Sequence, residues 1–302
     1  MNFRTLSAIV RGRWLLDKQW AETQLPLVLS LLNGTFSAAD RSGSEEYELP
    51  FAVNPSTMQR TDMYVETWTG IKPNPNIAEG SVAVIPVSGP MMKYNGSCGE
   101  HGSLKRIGFL LDAERRNSIS SAVLMVDSPG GQVDGTQSFA NAVKSFSKPI
   151  IGFVDDGMAA SAAKWAISAT DEVYASLETD QVGSIGVYTT IVDFKGYFEK
   201  HGYKLHEIYA PQSTDKNLDF RKVIESNGED VDMVKEDLRT IADHFIKAIK
   251  TFRGDKAATY QKDWDSGKMF YAKDAVNIGL LDGIKSFEQV ISKAAWLAKR
   301  KK

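Results

Sequence analysis

Apolar residues along this chain fall into two regimes that change near residue 80. From Ser81 onward, short apolar runs bounded by turn residues alternate with amphipathic stretches. Residues 82–87, 121–126 and 149–154 are such runs and read as buried strands. Between the first two, residues 104–114 place Leu104, Ile107 and Leu111 on one helical face, and a further helix is expected around Phe139 to Phe146. Residues 159–169 are rich enough in alanine to be a third helix. Repeated strand and helix units predict an α/β fold with a mainly parallel sheet covered by helices. Further on, residues 182–187 lead into a strand and residues 204–209 form another. Val234, Leu238, Ile241, Phe245 and Ile249 then recur at helical spacing, a stripe that packs on the core or on another subunit.

Before residue 81 the pattern is different. A helix is expected near residues 15–32, while 42–46 and 72–76 are loop-like in composition. This segment matches no motif and reads as a substrate-recruiting arm, a partner-binding segment or a flap across the core. The chain shows neither a low-complexity tract nor a tandem repeat.

Candidate chemistry concentrates where strands end. Gly157-Met158-Ala159-Ala160-Ser161-Ala162-Ala163 sets one hydroxyl among residues too small to hide it, at a junction of strand and helix. Such a turn exposes the side-chain oxygen and aims backbone N–H groups at developing negative charge. An isolated serine in this position would usually do no more than pack small against a neighbour. Upstream, the strand at 121–126 runs into Asp127-Ser128-Pro129-Gly130-Gly131, whose adjacent glycines leave backbone amides uncovered. Taken alone it reads as a Pro-Gly-Gly turn. A third stretch of small residues is Val182-Gly183-Ser184-Ile185-Gly186-Val187.

These three stretches, in this order, resemble the signal peptide peptidase A family of serine peptidases, which share the crotonase and Clp-protease type of fold. A fourth match follows at Ser266-Gly267-Lys268-Met269-Phe270 and Ala275 to Asp282, similar to the family's closing helix and turn. The resemblance implies a peptidase domain over residues 81–290, between the N-terminal segment 1–80 and a basic tail at 291–302. It implies Ser161 as nucleophile and Lys216 as its base, with Ser184 orienting the lysine. An oxyanion hole of backbone amides at Gly130, Gly131 and Ala162 is implied too. Lys216 precedes Asn217, where the family's base usually follows a shorter turn and precedes an acidic residue. The expected substrate is a peptide or protein, no cofactor or metal is called for, and single-copy members are expected to form ring-like homo-oligomers.

Lacking an apolar run long enough to span a bilayer, the chain resembles the cytoplasmic, phage-type branch that processes capsid scaffolds. Degradation of signal peptides is an alternative. A crotonase-like enzyme of acyl-thioesters, which would not need Ser161, and a catalytically silent shell or scaffold protein are others. Composition narrows the rest. At 302 residues and 42% hydrophobic the chain can bury a large core, and a formal charge of −2 gives no reason to expect nucleic acid. Cys98 is the lone cysteine, so no internal disulfide forms. The four histidines, His101, His201, His206 and His244, sit in no motif, and His101 is expected at the polar surface. Ser161 and Lys164 also spell a Ser-x-x-Lys pair, but the Ser-Asp-Asn and Lys-Thr-Gly elements of β-lactamases are missing, so Lys164 is expected to face solvent or a neighbouring subunit.

Overall fold

The computed structural model describes residues 13–16, 49–68, 70–95, 101–191, 193, 195–204 and 206–300. The described chain opens with β1 (Arg13–Leu16), β2 (Phe51–Val53), β3 (Arg60–Asp62) and a hairpin of β4 (Tyr64–Thr67) and β5 (Gly70–Pro73). Alternation follows: β6 (Ser81–Ser88), α1 (Ser103–Arg115), β7 (Ile119–Ser128), β8 (Gly130–Gln132), α2 (Thr136–Lys144), β9 (Ile150–Ala160), α3 (Ala162–Ser168), β10 (Glu172–Ala175), β11 (Gln181–Gly183) and β12 (Tyr188–Thr189). The C-terminal third comprises α4 (Lys195–Lys200), α5 (Leu218–Glu225), α6 (Asp232–Thr259), α7 (Gln261–Trp264), β13 (Met269–Tyr271), α8 (Ala272–Asn277), β14 (Gly283–Ile284) and α9 (Phe287–Arg300).

Nine of the described strands form one sheet, ordered β13-β11-β9-β7-β6-β2-β3, with β10 beside β9 and β14 beside β10. Its centre is parallel: β6 on β7, β7 on β9, and β9 on both β10 and β11. The edges, β13 and the pair β2–β3, are antiparallel. A parallel sheet is covered on both faces, so its strands are continuously apolar instead of alternating. β6 shows this, being buried from Ser81 through Val87. One face packs against the larger apolar cluster, which includes Phe109, Leu110, Phe139, Trp165, Phe245 and Ile249 from the helices. The other is covered by α9 through Val290, Ile291 and Ala294. The sheet reaches back across residue 80, because β2 pairs with β6 and buries Phe51, Ala52 and Val53.

The α/β architecture and parallel centre expected from the sequence are present, and several local expectations are corrected. β9 does not end before Asp155. It bends at Asp156, whose φ is +47°, so its first half pairs with β10 and its second half, Met158 to Ala160, with β11. Residues 15 and 16, expected to open the N-terminal helix, instead belong to β1, because two strand edges accept it; the rest of that helix and the loop at 42–46 lie outside the described residues. Lys72 and Pro73 end β5, and the loop expected at 72–76 therefore starts later. The described residues of 204–209 form no strand and pair with no other strand. On α1 the buried face is Arg106, Phe109, Leu110 and Ala113, whereas Leu104 and Leu111 are exposed. The stripe on α6 does pack inward, with Phe245 and Ile249 wholly buried.

Candidate active site

The bend in β9 delivers Ser161 to a turn between that strand and α3. Its φ of 52° and ψ of −113° lie where residues with a Cβ are rarely found, a strain that persists only when the surroundings impose it. The constraints are visible. Ser161 N donates to Gly183 O at 2.9 Å, and Ser161 O accepts from Trp165 N at 2.9 Å, which starts α3. The second half of β9 is fixed by two carboxylates. Asp180, buried in the β10–β11 connection, accepts from Gly157 N at 3.0 Å and from the amides of Ser176 and Leu177. Asp127 accepts from Met158 N at 3.1 Å; burial pushes its carboxyl above the usual range, an effect the Met158 N–H opposes and the nearby Asp180 and Asp156 reinforce.

Beside Ser161 runs β8. Gly130 has φ +95°, and a methyl group there would strike the Leu15 carbonyl oxygen and lie 2.9 Å from Ser161 Cβ. A methyl on Gly131 would strike the Met91 carbonyl. The two glycines are therefore required by close approach on both sides, which is how backbone N–H groups come to face a reacting serine. The amide of Gly130 is engaged by Ser128 Oγ at 3.2 Å, which leaves Gly131 as the better placed donor of the pair.

Ser184 follows Gly183, the residue that accepts from Ser161, and has a positive φ of its own, +51°. Its amide donates to Lys268 O at 2.9 Å, tying the site to the stretch before β13. The structure thus brings together Ser161, Ala162, Gly130, Gly131 and Ser184. Lys216 stands apart: it is exposed in the turn ahead of α5, its amide donating to Ser213 O at 3.3 Å, and among the described residues no hydrogen bond joins it to Ser161.

Lys164 does not face solvent. It is wholly buried beneath α3, and its Nζ donates to Leu280 O at 2.7 Å. Burial holds its pKa well below the lysine range; nearby Arg253 adds to this and Asp282 opposes it. Arg253 and Asp282 themselves form a 2.7 Å ion pair. The helix that follows Ser161 is in this way clipped to the turn after α8. His101 is half-buried: it stacks edge-on against Phe109 at 5.1 Å and its ring nitrogens are covered, which lowers its pKa. Cys98 lies outside the described residues. Among the described residues no cluster of His, Cys, Asp or Glu could hold a metal, and no helix is long and apolar enough to cross a membrane. Sequence reasoning missed the roles of Asp180, Lys164 and Leu15; for Asp180 the signal was an acidic residue just ahead of the Val-Gly-Ser stretch.

The fold is of the Clp-protease class, with a strained serine set against a glycine pair, and comparison with known proteins agrees with that fold. Residues 92–181, spanning both the glycine pair and Ser161, match the Clp protease family. Residues 142–301, just over half of the chain, match peptidase family S49, and the chain belongs to that family of serine-type proteases. Among curated proteins, "Putative protease MJ0651" of Methanocaldococcus jannaschii is 29% identical over 195 residues, covering 64% of this chain and 60% of that protein. "Protease 4" of Salmonella typhi is 25% identical over 228 residues, 74% of this chain and 35% of the relative. The "Head-tail preconnector protein GP5" of Enterobacteria phage P21 is 29% identical over 138 residues, 43% of this chain and 26% of the relative. The chain thus spans less than two thirds of each of these relatives.

Proposed function

We propose that this protein is a serine endopeptidase working through a Ser–Lys dyad. The observation that carries the reading is the strained Ser161 set against the Gly130–Gly131 edge. Ser161 Oγ attacks a peptide carbonyl while Lys216 takes its proton and later returns it to the leaving amine. The amides of Gly131 and Ala162 stabilise the tetrahedral oxyanion, and the Ser184 hydroxyl orients the lysine.

Lys216 acts as a base only when neutral, which requires that its amine be taken out of water. The stretch that carries it is lined with apolar side chains left in solvent: Ile208 is 92% exposed and Tyr203 64%. Exposed apolar surface of this kind marks an interface. A homo-oligomer that covers it would bury the lysine as well, and this supports the oligomer that the family resemblance implies. The phage P21 relative supports a role in processing head-assembly proteins.

The dyad is tested with fluorogenic peptides and a serine-directed fluorophosphonate. Ser161→Ala and Lys216→Ala are each expected to lower kcat/KM by ~10²–10⁴-fold or more, and Ser161→Ala to abolish labelling. Full activity in Lys216→Ala would assign the base elsewhere; full activity in Ser161→Ala would favour an acyl-thioester enzyme that uses the glycine amides alone.

A further inference from the structure

β8 is a three-residue strand with two neighbours. On one edge, Met91 N donates to Gly130 O at 2.6 Å and Gln132 N donates to Met91 O at 2.8 Å. The N–H and C=O of Gly131 therefore face the opposite edge. There runs β1, antiparallel, with Trp14 opposite Gln132, Leu15 opposite Gly131 and Leu16 opposite Gly130. Val133 N donates to Arg13 O at 3.1 Å. Bonded pairs alternate along an antiparallel ladder, so the next bonded pair is Leu15 with Gly131, and the Leu15 carbonyl receives the Gly131 N–H. The same carbonyl oxygen is the group that a methyl on Gly130 would strike, together with Ser161 Cβ. The Leu15 carbonyl, bonded to the Gly131 amide, and Ser161 Cβ thus both border Gly130.

The other features of β1 are those of a bound peptide. Its second edge is closed by β12, with Arg13 opposite Thr189 and Trp14 opposite Tyr188. The Leu15 side chain is wholly buried in the main apolar cluster. Arg13 pairs with Asp237 on α6 at 2.9 Å, although both side chains stay about half exposed. An extended segment held by main-chain bonds on both sides, with one side chain in an apolar recess, is how a strand-adding peptide is recognised.

We propose that Arg13–Leu16 is an intramolecular occupant of the substrate channel, with Leu15 standing where the residue whose carbonyl is attacked would stand. The proposal rests on Ser161 being the nucleophile of a peptidase. It names the substrate class as extended peptides with a leucine-sized aliphatic residue at that position. It also makes access conditional, since β1 must leave before another peptide can enter.

The test uses the full chain. Leu15→Asp places a charge in the apolar recess and is expected to unseat β1. Arg13→Glu removes only the exposed ion pair and guards against a folding defect in the first variant. If the channel is open in ~10% or fewer of wild-type molecules, turnover of a leucine-containing fluorogenic peptide rises about tenfold or more in Leu15→Asp, and by less in Arg13→Glu. A synthetic peptide of residues 11–18 inhibits Leu15→Asp competitively, and the same peptide carrying Asp at Leu15 does not. Hydrogen exchange at the Gly131 and Val133 amides quickens in the variant. Unchanged turnover with quickened exchange, or lost turnover in a variant that still melts cooperatively, overturns the proposal, the latter by showing that β1 builds the site. If no form of the protein shows turnover dependent on Ser161, the peptidase reading fails instead. Exchange and binding of the 11–18 peptide then decide by themselves whether β1 is a displaceable occupant.

Discussion

Ser161 sits in backbone strain and, contrary to the expectation that its small neighbours leave it uncovered, is only 1% exposed. A residue with a Cβ held at φ 52°, ψ −113° costs ~1–3 kcal/mol that glycine would not incur. Ser161→Gly and Ser161→Ala should both lack activity, yet the glycine variant should be the more stable by ~1–2 kcal/mol in urea unfolding. Equal stabilities would mean the turn is not strained. Lys164 makes a second prediction at this scale. Its pKa is lower folded than unfolded, so between the two values the unfolded chain binds more protons and stability rises with pH across that window. The cost of burying the amine is fully present below the folded value and fades above it. Relative to Lys164→Met, the wild type should therefore gain stability as pH is raised from 6 towards 10, read from unfolding midpoints at each pH; a constant difference would show the amine charged inside the fold. Nothing local in the sequence announced this burial. The acceptor, Leu280 O, lies 116 residues further on and is brought under α3 only by the C-terminal turn.

Elements were legible where burial is two-sided. β6, β7 and the first half of β9 are unbroken apolar runs because helices cover both faces, and such runs admit few other readings. Trp14, Leu15 and Leu16 formed an apolar run with no period to choose helix from strand, and the choice was made by the free edges of β8 and β12. Residues 204–209 had the composition of a strand and lacked an edge to join. α1 was misjudged by one face because Arg106 is buried there, its guanidinium donating to Ser88 O at 3.1 Å while Leu104 remains outside. The motif residues were legible one by one, whereas the partnership of the glycine pair with Leu15 depended on a pairing more than a hundred residues long. Helix α6 is held to α3 by Phe245, stacked on Trp165 with ring centroids 4.7 Å apart and planes 9° from parallel. Phe245→Ala should cost ~3–5 kcal/mol in chemical unfolding. A cost under about 1 kcal/mol would show that α6 docks by other contacts.

At the scale of the molecule, the exposed apolar side chains in the stretch leading to Lys216 argue for self-association. Ile208 is 92% exposed, and a charge in its place should leave the melting temperature of a single chain unchanged. Ile208→Lys is expected to shift light-scattering mass towards the monomer and to lower peptidase activity in step. A monomeric wild type at working concentration, or an assembled variant with full activity, would separate the lysine's chemistry from any interface.

β1 has a further consequence, one of colloidal behaviour. A bare strand edge offers unpaired N–H and C=O groups to any extended chain, and proteins suppress this by covering the edge. On β8 the edge carries glycines with no side chains to deter a partner, and a cover of four residues is what shields it. Each molecule that opens exposes a template for the loosened segments of its neighbours. Concentrated samples should therefore turn turbid at a lower temperature as the cover is weakened, with Arg13→Glu ahead of the wild type. Solubility in storage and readiness to take up peptide are then set by the same short strand, in opposite directions.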